Sequence, residues 1–281
     1  MDDLAQVDAA EFQRQGWALI KGGLISASEL ETLRSAVQKV VAAEARLASQ
    51  SAADLEGAGS DEDQRQTGVR VEGQDKRYLM QFRIPETGFD IRLEYPEVMP
   101  IVRKYAALAR HLLGEDVRIL YDHVLIKPPA KDGTRPTMWH QDLTYLPVDR
   151  RGLLVVWTPL YDVPEEAGCM RYIPRSHRLG PLGKLPMAQD YQLTDLLRPT
   201  DFEIIGNPVG VPLKAGECAI HDGLTLHGAF PNVSDEPRIA WSIAIGPASM
   251  LRAASKWAID RLNHLDLKEL EPLNHPSLIA D

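Results

Sequence analysis

Cysteine is nearly absent from this chain. Cys169 and Cys218 stand alone among 281 residues, which excludes a disulfide framework and fits a reducing compartment such as the cytoplasm. Two buried thiols are expected there rather than a bridge. A basic excess is missing as well: 31 Lys and Arg face 40 Asp and Glu, a formal net charge of -9. Phosphate backbones are bound by clustered cations, so a nucleic-acid partner is excluded, and docking on an anionic membrane is disfavoured for the same reason. No apolar run is long enough to span a bilayer. The opening Met1-Asp2-Asp3-Leu4 has neither the positive n-region nor the apolar h-region of a signal peptide. No internal repeat is present.

What is present suits one globular domain over residues 1–281 with a sizeable core. Helical support is expected over about 1–115. Phe12 lies in a short helix ending at Gly16, followed by a strand-like Trp17-Ala18-Leu19-Ile20. Ser26 and Glu29 form a capping-box pattern ahead of Leu30, Leu33, Val37, Val40 and Val41, which predicts a helix to about Leu47. From Ser49 to Gly73 the chain is polar, rich in Gly and Asp, and without periodicity, so a mobile loop is expected over about 49–73. A further helix is predicted from Pro96 to Leu113, stopped by Gly114.

Beyond Val117 the pattern changes to short alternating runs: Val117–Lys127, Leu153–Tyr161, Met170–Ile173, Val209–Leu213, Cys218–His221 and Arg238–Ile245. Strands of this length and spacing indicate a β-sandwich or barrel. Helices first and strands afterwards predict a mainly-β core over about 116–246, braced by N-terminal helices. A C-terminal helical segment, about 247–281 and centred on Ala253 to Leu262, is expected to cover the core's edge or take part in a homodimer.

Two motifs carry chemistry. Trp139-His140-Gln141-Asp142 places His140 and Asp142 at i and i+2, on the same side of an extended chain. Leu226-His227-Gly228 supplies a second imidazole from another strand. Two imidazoles and one carboxylate on one face of an octahedron leave three positions open, the ligand set of a mononuclear non-haem iron centre. An isolated His-x-Asp is a weak signal, and core hydrogen bonding is its ordinary explanation. Arg238 strengthens it. In Arg238-Ile239-Ala240-Trp241-Ser242-Ile243-Ala244-Ile245 the bulky residues share one face and the small ones the other. The small face leaves room for a ligand, with one guanidinium shaped to grip a carboxylate. His221 is expected to be structural or to support the metal ligands. His177 belongs to a turn, and His111 and His264 carry no chemical signal.

Taken together, these motifs resemble the phytanoyl-CoA dioxygenase family of iron(II)/2-oxoglutarate-dependent oxygenases. The resemblance rests on Lys127-Pro128-Pro129, Trp139-His140-Gln141-Asp142, Val156-Trp157-Thr158-Pro159, Ala167-Gly168-Cys169 and Ile173-Pro174-Arg175-Ser176-His177. It continues through Gly216-Glu217 and Leu226-His227-Gly228 to Asn232 and Arg238. It implies a double-stranded β-helix, a jelly-roll core, with iron held by His140, Asp142 and His227. It also implies that 2-oxoglutarate and dioxygen serve as co-substrates, with Arg238 on the distal carboxylate of the keto acid, Trp157 beside it, and Thr137 and His123 in contact. The family often has a serine two residues after the distal histidine; here Ala229 stands there, and Thr137, Ser242 or a water is expected to substitute. Halogenating relatives lack the metal carboxylate, so Asp142 favours hydroxylation or a related oxidation.

The implied activity is oxidation of an unactivated C–H bond in a small organic molecule, coupled to decarboxylation of 2-oxoglutarate to succinate. Gln81 and Arg83 are candidate polar contacts to that substrate, and the acidic Asp61-Glu62-Asp63 favours a neutral or cationic one. Competing readings are an acyl-CoA hydroxylase of the same family, a non-catalytic metal- or ligand-binding jelly roll, and a zinc hydrolase.

Overall fold

The computed structural model describes residues 7–22, 24–57, 89–183, 191–253, 262 and 265–280. Helix α1 (Ala9–Gln15) begins where Asp8 Oδ1 accepts the Ala10 N–H at 2.8 Å, and it stops at Gly16, in the left-handed conformation. Strand β1 (Trp17–Ile20) follows. Helix α2 (Ala27–Gly57) opens on the expected capping box. The Ser26 N–H donates to Glu29 Oε2 at 2.8 Å, and the Glu29 N–H donates to Ser26 Oγ at 3.2 Å.

This helix continues to Gly57 instead of ending near Leu47. The extra turns carry Ala48, Ala52, Ala53 and Leu55 with no Gly or Pro before Gly57, and high intrinsic propensity sustains a helix without an apolar stripe. Residues 58–73 of the expected loop lie outside the described residues. Helix α3 (Ile91–Glu94) and helix α4 (Met99–Leu113) complete the support, α4 being entered through a 3₁₀ turn at Pro96–Val98. Among the described residues no helix is long and apolar enough to cross a membrane.

The strands β2 (Val117–Lys127), β3 (Thr137–His140), β4 (Leu154–Pro159), β5 (Met170–Tyr172), β6 (Val209–Val211), β7 (Cys218–Asp222), β8 (His227–Ala229) and β9 (Arg238–Pro247) form two antiparallel sheets. Their orders are β1-β7-β4-β9-β2 and β3-β8-β5-β6. This is a mainly-β, double-stranded β-helix. Alternation along β9 sorts its residues as expected. Trp241, Ile243 and Ile245 pack outward with Val124, Val156 and Ile220 against Leu33, Val37, Ile101, Val102, Tyr105 and Leu108 of the helices. On the opposite face, Ala240 packs against the other sheet and Ala244 against the C-terminal segment. A buried network locks the helices on: Asp122 accepts from Arg92 Nη1 at 2.7 Å and from Trp241 Nε1 at 2.8 Å, while Arg92 Nη2 reaches the Ser277 carbonyl.

The C-terminal segment departs from the helical expectation where it is described, while most of the stretch centred on Ala253 to Leu262 lies outside the described residues. Residue 247 still belongs to β9, residues 254–261 lie outside the described residues, and 265–280 holds one 3₁₀ turn, Pro276–Leu278. Pro272 and Pro276 lack the N–H a helix interior needs. The segment nonetheless covers the core's edge: Leu262, Leu265, Leu273 and Leu278 pack on Leu120, Leu146, Leu153 and Met250.

Candidate metal centre and co-substrate chamber

The site is made by the pairing of β3 with β8. Thr137 lies opposite Ala229 and His140 opposite His227, with a register shift between them. Such an irregularity re-aims side chains, and here it turns both Thr137 and His140 inward. The strands approach closely because residue 228 is glycine: a Cβ there would stand 2.6 Å from the Thr137 carbonyl oxygen. Gly228→Ala is therefore expected to push β3 off β8 and weaken divalent-metal binding by about tenfold or more, the scale of losing a supporting contact. Calorimetric titration with Mn(II), alongside circular dichroism, checks this; unchanged affinity would contradict it.

Strand β3 ends at His140. Gln141 remains extended (φ -121, ψ 124), and Asp142 opens a 3₁₀ turn, Asp142–Tyr145, rather than continuing the strand. The one extended step is enough to return Asp142 to the side of His140. His140 Nε2 lies 3.5 Å from Asp142 Oδ1, and His227 Nε2 lies 3.6 Å from Asp142 Oδ2. The three donor atoms are within 4.8 Å of one another.

Each imidazole is oriented through its other nitrogen. His140 Nδ1 is 2.8 Å from the Met138 carbonyl and His227 Nδ1 is 3.0 Å from the Thr225 carbonyl. Carbonyls only accept, so each Nδ1 carries the proton and each Nε2 lone pair faces the gap. Burial, then the neighbouring His140, holds the His227 pKa well below its ordinary value. Burial alone would raise Asp142, yet His227, His140 and His221 together hold it well below the ordinary carboxylate range. A neutral His227 and an ionised Asp142 are protonation states that suit a divalent cation.

His221, on β7, is buried with Nε2 2.9 Å from Asp142 Oδ2. It supports the carboxylate from behind. Gln141, fully buried, clamps the adjoining loops: its amide donates to the Gly180 and Leu224 carbonyls and accepts from the Leu182 N–H. His177 and His111 bond to the Gln13 and Val7 carbonyls at the N-terminal segment, away from this chemistry. Gln81, Arg83 and His264 lie outside the described residues.

Beyond the triad the inner faces of the two sheets meet. On the large-sheet wall Lys127 is paired with Arg238, and His123 with Ser242, which also faces Trp157. Ala229, Ala240, Leu125 and Met170 make the junction apolar. Arg238 is buried, Nη1 donates to the Gly168 carbonyl at 2.7 Å, and its guanidinium lies 5.2 Å from the Trp157 ring centroid. Burial lowers its pKa to about 10, which leaves it charged at neutral pH. Thr137 Oγ1 accepts from Lys127 Nζ at 3.2 Å, and the Arg135 carbonyl accepts from the same amine at 2.6 Å. His123 packs between the Phe89 and Tyr121 rings on the same wall.

Arg238 Nε, Trp157 Nε1, Tyr172 Oη and Trp17 Nε1 are all buried without a hydrogen-bond partner among the described residues. Native interiors rarely leave such groups unmet. All four atoms can donate, so they call for a ligand rich in acceptors. Lys127, Tyr172 and Trp17 escaped the sequence reading of the site. Lys127 had a signal, since it shares the inner register of β2 with His123. Tyr172 and Trp17 had none, because nothing local distinguishes them from core aromatics.

The profile of the phytanoyl-CoA dioxygenase (PhyH) family matches residues 12–240. A protein of Stutzerimonas stutzeri, described as a probable alpha-ketoglutarate-dependent hypophosphite dioxygenase, is 29% identical over 143 residues, covering 47% of this chain and 46% of the relative. The chain spans about half the length of the curated relatives it matches. Among solved structures, the non-heme alpha-ketoglutarate-dependent carbocyclase SnoK from nogalamycin biosynthesis superimposes with a TM-score of 0.71 at 25% identity, covering 98% of this chain and 96% of SnoK. The epimerase SnoN in complex with Fe3+, alpha-ketoglutarate and nogalamycin RO gives 0.66 at 25% identity, covering 98% and 97%.

Proposed function

Because the chain belongs to the phytanoyl-CoA dioxygenase family, we propose that it is an iron(II)- and 2-oxoglutarate-dependent dioxygenase acting on a small, natural-product-like molecule. One observation carries the reading. A group of two imidazoles and a carboxylate lies between the same sheets as two buried donors, Arg238 Nε and Trp157 Nε1, that have no acceptor among the described residues. The residues fit the group they would hold: His140, Asp142 and His227 the iron, and Arg238 with Trp157 the distal carboxylate of the keto acid. Bound iron supplies the one-electron chemistry with dioxygen that side chains lack. In sum, substrate C–H, dioxygen and 2-oxoglutarate give alcohol, succinate and carbon dioxide.

The protein's own part is positional. The carbonyls of Met138 and Thr225 fix both imidazoles, His221 steadies Asp142, and Arg238 sets the keto acid's depth. The buried cluster of Trp157, Met170, Ala229 and Ala240 beside them limits access of water. A zinc hydrolase would leave Arg238 and Trp157 without a task. The neighbours from nogalamycin biosynthesis support a natural-product-like substrate. The test is a substrate screen with the Fe(II)-loaded protein, scored by succinate release and product mass. Gain of one oxygen supports hydroxylation and loss of two hydrogens indicates desaturation. Metal dependence on Zn(II) without oxygen consumption would overturn the reading.

Lys127 gives a second check. Burial, then the guanidinia of Arg238 and Arg171, pushes its pKa down to about 6, so at pH 7.5 the amine is neutral while the unfolded chain keeps it charged. A group lowered in this way makes stability rise with pH between about 6 and 10. A carboxylate arriving beside Arg238 raises the amine's pKa again, so keto-acid binding should take up protons. The calorimetric enthalpy for the metal-loaded protein is then expected to vary with the buffer's ionisation enthalpy in the sense of uptake. Buffer-independent enthalpy would show that Lys127 does not sense the co-substrate.

A further inference from the structure

Position 229, a buried alanine on the inner face of β8, offers no donor, and a different strand does. On β5, Tyr172 is paired with His227 and Met170 with Ala229, so the Tyr172 side chain shares the inner face with the metal-facing imidazole. Its ring is held in place: it stacks on Trp17 at 5.1 Å with planes 10° apart, and lies 5.3 Å from the His221 ring and 6.0 Å from the His227 ring. The side chain is fully buried and its hydroxyl has no partner among the described residues.

We infer that Tyr172 is a co-substrate-binding residue, whose hydroxyl donates to the same distal carboxylate that Arg238 holds. The inference rests on the dioxygenase reading and deepens it. Two observations support it. The phenol packs in one cluster with Trp157, Met170, Ala229 and Ala240, on the same inner faces that carry Arg238. Its hydroxyl is a buried donor without a partner among the described residues, as is the Arg238 Nε. Stacking on Trp17 holds the phenol in one orientation before the ligand arrives, so little rotamer freedom is lost on binding.

The test is anaerobic binding of 2-oxoglutarate to the Fe(II)-loaded chain, read from the visible charge-transfer band of the chelate, in the native protein and in Tyr172→Phe. Phe keeps the ring and the stack, so iron affinity and melting temperature should be unchanged. The dissociation constant for 2-oxoglutarate should rise about ten- to a hundredfold, as for one hydrogen bond to a charged acceptor. For 2-oxopentanoate, which lacks the distal carboxylate, the native and variant proteins should bind equally. Equal affinity for 2-oxoglutarate in both proteins, or equal loss with both keto acids, overturns the assignment. Absence of any chelate band in the native protein instead overturns the dioxygenase reading itself. As a second measurement, Ala229→Ser adds a hydroxyl for the same carboxylate, so Y172F should cost less in the A229S background than in the native chain. Equal costs also overturn the assignment.

Discussion

Replacing His140 with Ala is expected to bring Fe(II)-dependent succinate formation below detection while leaving the chain folded. The imidazole is one of three donors, and two donors on an octahedral ion leave too little enthalpy to hold it against water. Folding should survive because His140 sits at the end of β3. The neighbouring Gln141 clamp, through three hydrogen bonds to Gly180, Leu224 and Leu182, stays intact. His221→Ala should behave differently. Its Nε2 touches Asp142 at 2.9 Å rather than the ion's position, so the expected loss is about ten- to a hundredfold in metal affinity, with activity restored at high Fe(II). His177→Ala, remote from the triad, should leave metal affinity unchanged. Iron titration and succinate release across the three variants check the order. Full activity in H140A would remove His140 from the metal and with it the proposed centre.

The graded expectation depends on which features were legible in the sequence. Strand β2 was readable residue for residue, and β9 announced its two faces because bulky and small side chains alternate without interruption. The capping box of Ser26 and Glu29 fixed the start of α2, but its end was misplaced, since a polar, alanine-rich helix has no apolar stripe to count. The meeting of His140, Asp142 and His227 was legible as well, though not its geometry: Asp142 reaches the group from a 3₁₀ turn. Least visible was the set of donors between the sheets. Lys127, Tyr172 and Trp17 come from three different strands, and each looks like an ordinary core or edge residue alone. The unmet donors of Tyr172 and Trp17 appear only when two sheets are laid face to face, because hydrogen-bond satisfaction is a tertiary property. Past Leu265 the C-terminal cover departs from the helical expectation for the opposite reason: Pro272 and Pro276 interrupt it, while most of Ala253 to Leu262, where the helix was centred, lies outside the described residues.

Arg238→Met is expected to split two properties that usually move together. Keto-acid affinity should fall at least a hundredfold, because truncating one partner of a buried charged pair costs about 2–5 kcal/mol. Stability of the ligand-free protein should hold or rise. In that state Arg238 is a buried cation whose Nε has no acceptor among the described residues, while Nη1 donates to the Gly168 carbonyl. Replacing such a charge with an apolar side chain of similar length removes a desolvation cost that the protein tolerates only for its ligand. Met also keeps contact with the Trp157 ring, which now lies 5.2 Å from the guanidinium. The measurement is a pair of thermal melts, each variant with and without 2-oxoglutarate in the presence of Mn(II). The native protein should gain melting temperature on adding the keto acid, while R238M should start as high or higher and gain little. Arg238→Lys separates charge from shape: a single ammonium cannot reproduce the two-pronged grip, so it should recover only part of the affinity. If R238M melted well below the native apo-protein yet bound 2-oxoglutarate normally, Arg238 would be a structural cation, and the co-substrate's carboxylate would have to be sought elsewhere between the sheets.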